Sequence, residues 1–156
     1  MNIELIPAAL VHAELLAGMH AICFAEPWSA GSMAEILAMP GASGLIAVEG
    51  GSLLPSTEPP GPAGYVLWRV TADEAEILSI AVLPPWRQAG LGSRLVRVAI
   101  DDSRARQAEK MFLEVAANNQ SGLALYDRMG FQRVGIRKKY YGDLDAVVMR
   151  RDLDAP

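Results

Sequence analysis

The run Ile77-Leu-Ser-Ile-Ala-Val-Leu83, closed by Pro84-Pro85, constrains this chain more than any other stretch. It is apolar except for Ser79, and Ile77, Ile80 and Val82 are β-branched. Such a composition predicts a central strand covered on both faces. Neither proline can donate to a sheet ladder, so the strand must stop at Leu83. Apolar residues then recur at Leu91, Leu95, Val98 and Ala99, one stripe of an amphipathic helix. Gly90 and Gly92 therefore fall where a loop becomes a helix N-terminus.

That position has a chemistry of its own. The first helical turn has unpaired N–H groups and the positive end of the helix dipole, which together attract phosphate. Glycine lets a ligand approach the backbone without a Cβ in the way. Arg87 adds a permanent cation beside the loop. A plain strand-to-helix turn would use the same glycines, and spacing alone does not separate the two readings. A P-loop requires Gly-Lys-Ser/Thr, whereas Ser93-Arg94 follow Gly92. A dinucleotide fingerprint requires a small residue where Leu95 stands.

Composition narrows the function classes. With 156 residues, 51% hydrophobic and 21% charged, the chain reads as one globular domain over residues 1–156 with enough length for a core. A net charge of −4 argues against nucleic-acid binding by bulk electrostatics, and a mildly acidic surface suits a cationic partner. Cys23 is the single cysteine, which excludes an internal disulfide and fits a reducing cytoplasm. His12 and His20 stand alone, without metal-ligand spacing, so no metal is expected. No apolar run approaches the ~20 residues that span a bilayer, and the N-terminus lacks a signal-peptide layout.

Periodicity orders the rest. Asn2–Ile6 alternates as a strand closed by Pro7, residues 8–23 read as a helix, and Ser29 or Ser32 is placed to cap a second helix ending near Pro40-Gly41. Ser43–Glu49 reads as a short strand. The segment 50–64, rich in proline and glycine, reads as a surface loop. Residues 64–70 form a hairpin with the central strand, across Thr71–Ala75. After the long helix, Met111–Ala116 alternates with Glu114 set among apolar neighbours. Asn118 or Asn119 caps a further helix that Gly130 ends, and two strands joined near Gly142-Asp143 complete the chain. The order is strand, two helices, three strands, helix, strand, helix, two strands. This predicts an α/β sandwich built on a mixed sheet.

Arg87-x-x-Gly90-x-Gly92 resembles the Arg/Gln-x-x-Gly-x-Gly/Ala loop of the GNAT acetyltransferases. Leu113-Glu-Val-Ala-Ala-Asn-Asn-Gln-Ser-Gly-Leu-Ala-Leu-Tyr-Asp-Arg-Met-Gly-Phe131 is similar to the last sequence block of those enzymes. Glu26-Pro-Trp-Ser29, Arg137-Lys-Lys-Tyr-Tyr141 and Asp145-Ala-Val-Val-Met149 resemble segments of one bacterial group, the ribosomal-protein-alanine N-acetyltransferases or RimI group. That group's usual Phe before Pro-Trp is Glu26 here, and the 50–64 loop is longer than usual. The resemblance implies a mixed, mostly antiparallel central sheet flanked by helices. It also implies acetyl transfer from acetyl-CoA, as co-substrate, to an amine by direct attack in a ternary complex.

What the resemblance implies for single residues follows the motifs. Ile80, Ala81 and Val82 would pair with the pantetheine arm as an added strand. Arg87, Gln88, Ala89, Gly90, Leu91, Gly92 and Ser93 would hold the pyrophosphate, with Asn119 near the reactive end. Glu114 matches the base, and Tyr126 the donor that protonates the departing thiolate. The alternatives are a strand glutamate in solvent or paired with arginine, and a helix tyrosine packed on Leu123. Trp28, Tyr140, Tyr141 and Asp145 are candidate walls of the amine site, and equally core or surface residues. Apart from the resemblance, Glu74 and Glu76 either attract a cationic peptide or form a solvated hairpin edge. The expected acceptor is the N-terminal α-amine of a protein, most readily a small-subunit ribosomal protein beginning with Ala. A small-molecule amine, or a coenzyme A-binding module without catalysis, are the alternatives. Neither nucleic acid nor membrane is an expected partner, and a monomer is compatible with the sequence.

Overall fold

A computed structural model describes residues 2–153, apart from the side chain of Tyr141. Among them, seven strands form one sheet: β1 (Glu4–Pro7), β2 (Ala42–Val48), β3 (Pro62–Thr71), β4 (Glu74–Val82), β5 (Lys110–Ala116), β6 (Gln132–Tyr141) and β7 (Leu144–Asp152). They lie in the order β1-β2-β3-β4-β5-β7-β6. Helices α1 (Ala13–Cys23) and α2 (Ala30–Ala38) connect β1 to β2; α3 (Leu91–Ala105) connects β4 to β5, and α4 (Gln120–Arg128) connects β5 to β6. This is the predicted α/β architecture, and the sheet is mostly antiparallel.

Local chemistry explains most boundaries. Ser29 caps α2 by accepting from the Ser32 N–H at 3.1 Å, and Asn119 caps α4 by accepting from the Gly122 N–H at 3.0 Å. Gly130 ends α4 in the left-handed region, at φ 89°. The helix expected over 8–23 starts later, at Ala13, after a 3-10 turn over Leu10–His12. His12 Nδ1 accepts from the Ala9 N–H at 2.9 Å and holds that tighter turn. At the other end of the fold, the Trp68 indole donates to Asp102 at 2.8 Å, and Arg106 ties Asp102 to Ser43 and the Gly41 carbonyl. Those bonds fix α3 against β2 and β3.

Segment 50–64 is anchored more closely than a free surface loop. The Glu49 N–H donates to the Gly61 carbonyl at 2.9 Å, and β3 already begins at Pro62. Pro55 packs on α1 at Gly18, where an added Cβ would collide with Pro55 Cγ.

The decisive feature is the junction of β4 and β5. They are the sheet's only parallel neighbours among the described residues, and a parallel pair needs the crossover that α3 supplies. Their pairing covers Glu74–Glu76 against Lys110–Phe112 and then ceases. Meanwhile β4 stays paired with β3 as far as Val82, and β5 with β7 as far as Ala116. The sheet therefore splits from Ile77 onward. A bulge at Leu78, where Ser79 pairs with Leu67 but Ile77 pairs with Trp68, lies at the start of the split.

This split corrects the expectation that β4 is covered on both faces. Ala75, Ile77, Ser79 and Ala81 are buried, whereas Leu78, Ile80 and Val82 are only half-buried. With β5 turned away, the second face loses the neighbour that would have covered it.

Candidate active site

The split leaves main-chain groups without a strand partner. The Leu83 N–H donates to the Ala63 carbonyl at 2.8 Å, so Leu83 faces β3. Main-chain groups alternate along a strand, so those of Ala81 also face β3 and those of Ile80 and Val82 turn into the split. At the far end, the Val82 carbonyl accepts from Arg87 Nε at 2.8 Å and from the Cys23 thiol at 3.7 Å. Burial pushes the Cys23 thiol up, and Arg87 beside it offsets part of that rise. Arg87 thus sits beside the split with its Nε already committed to β4.

The loop after it is shaped by left-handed residues. Gln88 (φ 61°) and Gly90 (φ 84°) both adopt positive φ, and Gly90 caps α3 with no side-chain acceptor. The first-turn N–H groups of α3 therefore point outward from a helix of 15 residues. Gln88, Ala89 and Gly90 are exposed, Leu91 is buried, and Gly92 and Ser93 are half-buried. A Cβ added at Gly92 would meet Leu125 Cδ2 at 3.2 Å and Val82 Cγ2 at 3.9 Å. So α3, α4 and the end of β4 converge at Gly92. Tyr126 lies on that turn of α4, buried, with its ring edge-on to Phe131 at 5.9 Å. The Asn119 carboxamide oxygen is taken by its own helix cap, accepting from both the Gly122 N–H and the Ser121 hydroxyl.

Next to the split, where β4 and β5 still pair, one face of the sheet is acidic. Glu74, Glu76, Phe112, Leu113, Glu114 and Val148 line one pocket. Glu76 pairs with Phe112, so both project to one face, and Glu114, two residues on, projects to the same face. Arg137 reaches across β7 from β6 and places Nη2 2.7 Å from Glu114 Oε1. Loss of water on the pocket side and the nearby Glu114 carboxylate push the Glu76 carboxyl above its usual range, while Arg137 and Arg69 pull it partly back.

Of the proposed wall residues, Tyr140 lies under the Arg137 guanidinium, 4.8 Å from it. Asp145 accepts from the Lys139 N–H at 2.9 Å and pairs with Lys138 at 3.6 Å, bracing the β6–β7 hairpin. Trp28 stacks on His20 at 4.8 Å, and its N–H donates to His20 Nδ1 at 3.1 Å. Burial keeps that imidazole less basic than usual. Tyr141 pairs with Leu144 through its backbone, and its side chain lies outside the described residues.

The chain matches the model of the Acetyltransferase (GNAT) family over residues 14–131. It belongs to that family. It is similar to N-alpha-acetyltransferase RimI of Mycobacterium tuberculosis, 37% identical over 134 residues that make up 84% of this chain and 79% of that one. It is also similar to the [ribosomal protein bS18]-alanine N-acetyltransferase of Escherichia coli, 37% identical over 91 residues, 56% of this chain and 62% of that one. The crystal structure of the ribosomal-protein-S18-alanine N-acetyltransferase from Escherichia coli superposes with a TM-score of 0.86 at 25% identity, covering 99% of this chain and 96% of that one. The protein is thus an acetyl-CoA-dependent N-acetyltransferase of the GNAT family, resembling the RimI group.

Two residues of the acidic face went unassigned in the sequence. Glu76 read only as a charge able to attract a peptide, and Arg137 only as part of a motif. The signal for Glu76 was its alternation with Ala75 and Ile77; nothing local pointed to Arg137 as the partner of Glu114.

The state of Glu76 has a measurable consequence. Its folded-state pKa lies above the unfolded value of about 4.3, so ionising it costs stability as pH rises from near 4 through the folded value. Glu76→Gln removes that cost. Its melting temperature, relative to the unaltered protein, should rise at pH 7 to 8 and converge with it below about pH 4. A pH-independent difference, or destabilisation at pH 8, would show that loss of water, Glu114, Arg137 and Arg69 do not set the Glu76 ionisation as described.

Proposed function

We propose that this enzyme acetylates the N-terminal α-amine of a protein, with a small-subunit ribosomal protein beginning with alanine as acceptor. The observation that carries this reading is its 37% identity, over most of both chains, to a protein named as an Nα-acetyltransferase. The relatives named for alanine acetylation of ribosomal protein bS18 support the acceptor.

The geometry supplies a way to do it. The Ile80 main-chain groups and the Val82 N–H, which turn into the split, suit an extended pantetheine arm, which would join β4 as a short added strand. Gln88 to Ser93 and the first turn of α3 would cradle the pyrophosphate, with Arg87 adding positive charge. Asn119 would stand near the reactive end. The acceptor would enter over the acidic pocket, past Trp28, Tyr140 and Asp145.

An α-ammonium has a pKa of about 7.7–8.0, so removing its proton near neutrality costs little. Glu114 takes that proton, directly or through a water. The free amine nitrogen then bonds to the thioester carbonyl carbon, the C–S bond breaks, and the second proton of that nitrogen replaces the one that Tyr126 gives to the departing thiolate. Passing a proton from a tyrosine of pKa about 10 to a thiolate whose thiol has pKa about 8.5 is uphill by roughly 2 kcal/mol, a cost small beside a catalysed barrier. Tyr126 fills that role, next to Leu125, which packs beside Gly92.

Two experiments test this. Peptides beginning with Ala, Ser, Thr or Met, each also prepared with a blocked N-terminus and a free lysine, are incubated with enzyme and acetyl-CoA. Acetyl gain on free N-termini alone is expected, with Ala preferred. Gain on lysine or only on small amines would overturn the acceptor assignment. Separately, Glu114→Gln and Tyr126→Phe should each lower kcat by roughly 10²-fold or more while acetyl-CoA affinity stays within about 3-fold. Parallel loss of both would move either residue from proton transfer to support of the fold.

A further inference from the structure

We propose that Arg137 stands in for the acceptor's ammonium group: it holds the Glu114 carboxylate while the acceptor site is empty, yields it to the incoming N-terminus, and so sets acceptor affinity. This rests on the reading of Glu114 as the group that meets the acceptor amine.

The geometry makes the two cations competitors for one place. Arg137 Nη2 lies 2.7 Å from Glu114 Oε1, within the range of a charge-assisted hydrogen bond. Guanidinium retains its proton at any working pH, so a Glu114 oxygen held by Arg137 has no transferable proton to gain from it. An acceptor ammonium that loses its proton to Glu114, directly or through one water, draws on the same carboxylate. Since Glu114 is only 24% exposed, there is little free solid angle around it for both cations.

Arg137 is also built to leave. Its side chain is 56% exposed, so its release into water carries a small cost compared with a buried pair. It belongs to β6, the last strand of the sheet order, and crosses β7 at Ala146 and Val148, which offer no polar anchor. The Tyr140 ring lies 4.8 Å from the guanidinium and offers a second resting place by cation–π attraction. Regular pairing of β6 with β7 stops at Arg137–Ala146 and resumes at Tyr141–Leu144, with Lys139 between them in the left-handed region at φ 50°. Arg137 is thus the last paired residue before an irregular stretch. The neighbouring Lys138 is not a second competitor, because it is drawn to Asp145 at 3.6 Å.

The test separates competition from the two other roles an arginine can have there. A synthetic octapeptide with a free N-terminal alanine, and the same peptide Nα-acetylated, are titrated calorimetrically into enzyme saturated with coenzyme A. Arg137→Gln should bind the free-amine peptide about 3- to 10-fold more tightly, with no gain for the acetylated one. Arg137→Lys should lie between. In a Glu114→Gln background the effect of Arg137→Gln should vanish. Weaker binding by Arg137→Gln would mean that Arg137 contacts the acceptor directly, and equal gain for both peptides would mean a steric effect; either overturns the proposal. Because calorimetry needs no turnover, full activity of Glu114→Gln would sink the base assignment while leaving this cycle readable. If Arg137→Gln does not fold, the side-chain Nε resonance of Arg137 in the unaltered protein gives the same answer. It should move on adding the free-amine peptide and stay unmoved with the acetylated one; no movement with either overturns the proposal.

Discussion

In the proposed reading, everything functional in this molecule depends on two parallel strands that pair for three residues and then part. A continuous β4–β5 ladder would pair the main-chain groups that Ile80 and Val82 turn toward β5 and would set β4 alongside Glu114. The early end of pairing leaves those groups facing an open split. Such unpaired strand edges are usually a liability, blunted by charge or covered by other chain. Here the edge lies inside the sheet, bounded by β5, where another protein's strand has poor access and an extended small molecule has good access. Antiparallel partners on the outer sides, β3 and β7, hold the two walls apart.

Charge differs between the two ends of the split. At the Val82 end, Arg87, the α3 N-terminus and the left-handed Gln88 and Gly90 present positive potential and outward N–H groups, suited to an anion. At the Glu76 end, carboxylates gather in one pocket with Arg137 across from them. In the proposed reading, an anionic co-substrate and a cationic acceptor approach from opposite ends and meet between Leu78 and Glu114. The small residue at Gly92 lets α3, α4 and β4 come together there, which sets Tyr126 on the same junction.

The sequence displayed the elements well and their relations poorly. Turn chemistry and period marked the order of strands and helices, the start of α3 at Leu91 and the hairpin at Gly142-Asp143, because those signals are local. The split was hidden. Ile77–Leu83 has the composition of a strand covered on both faces, and nothing in its period reports how far a parallel neighbour follows it. The same blindness applies to Glu114: its alternation with Leu113 and Val115 showed the face it occupies, but its arginine partner comes from the far edge of the sheet. Pro55 packing on Gly18 is likewise a tertiary contact, so segment 50–64 read only as a surface loop. The α1 boundary was missed because apolar Leu10 and Val11 extend the helical pattern, although both are exposed in the 3-10 turn.

The most direct test of the central claim is residue-resolved amide hydrogen exchange with and without acetyl-CoA. The account predicts new protection at the Ile80 and Val82 amides, along with the first-turn amides of α3, while Ala81, whose N–H already faces β3, keeps its existing protection. Bound acetyl-CoA that leaves Ile80 and Val82 exchanging at their free rates would contradict it, and would place the co-substrate outside the split.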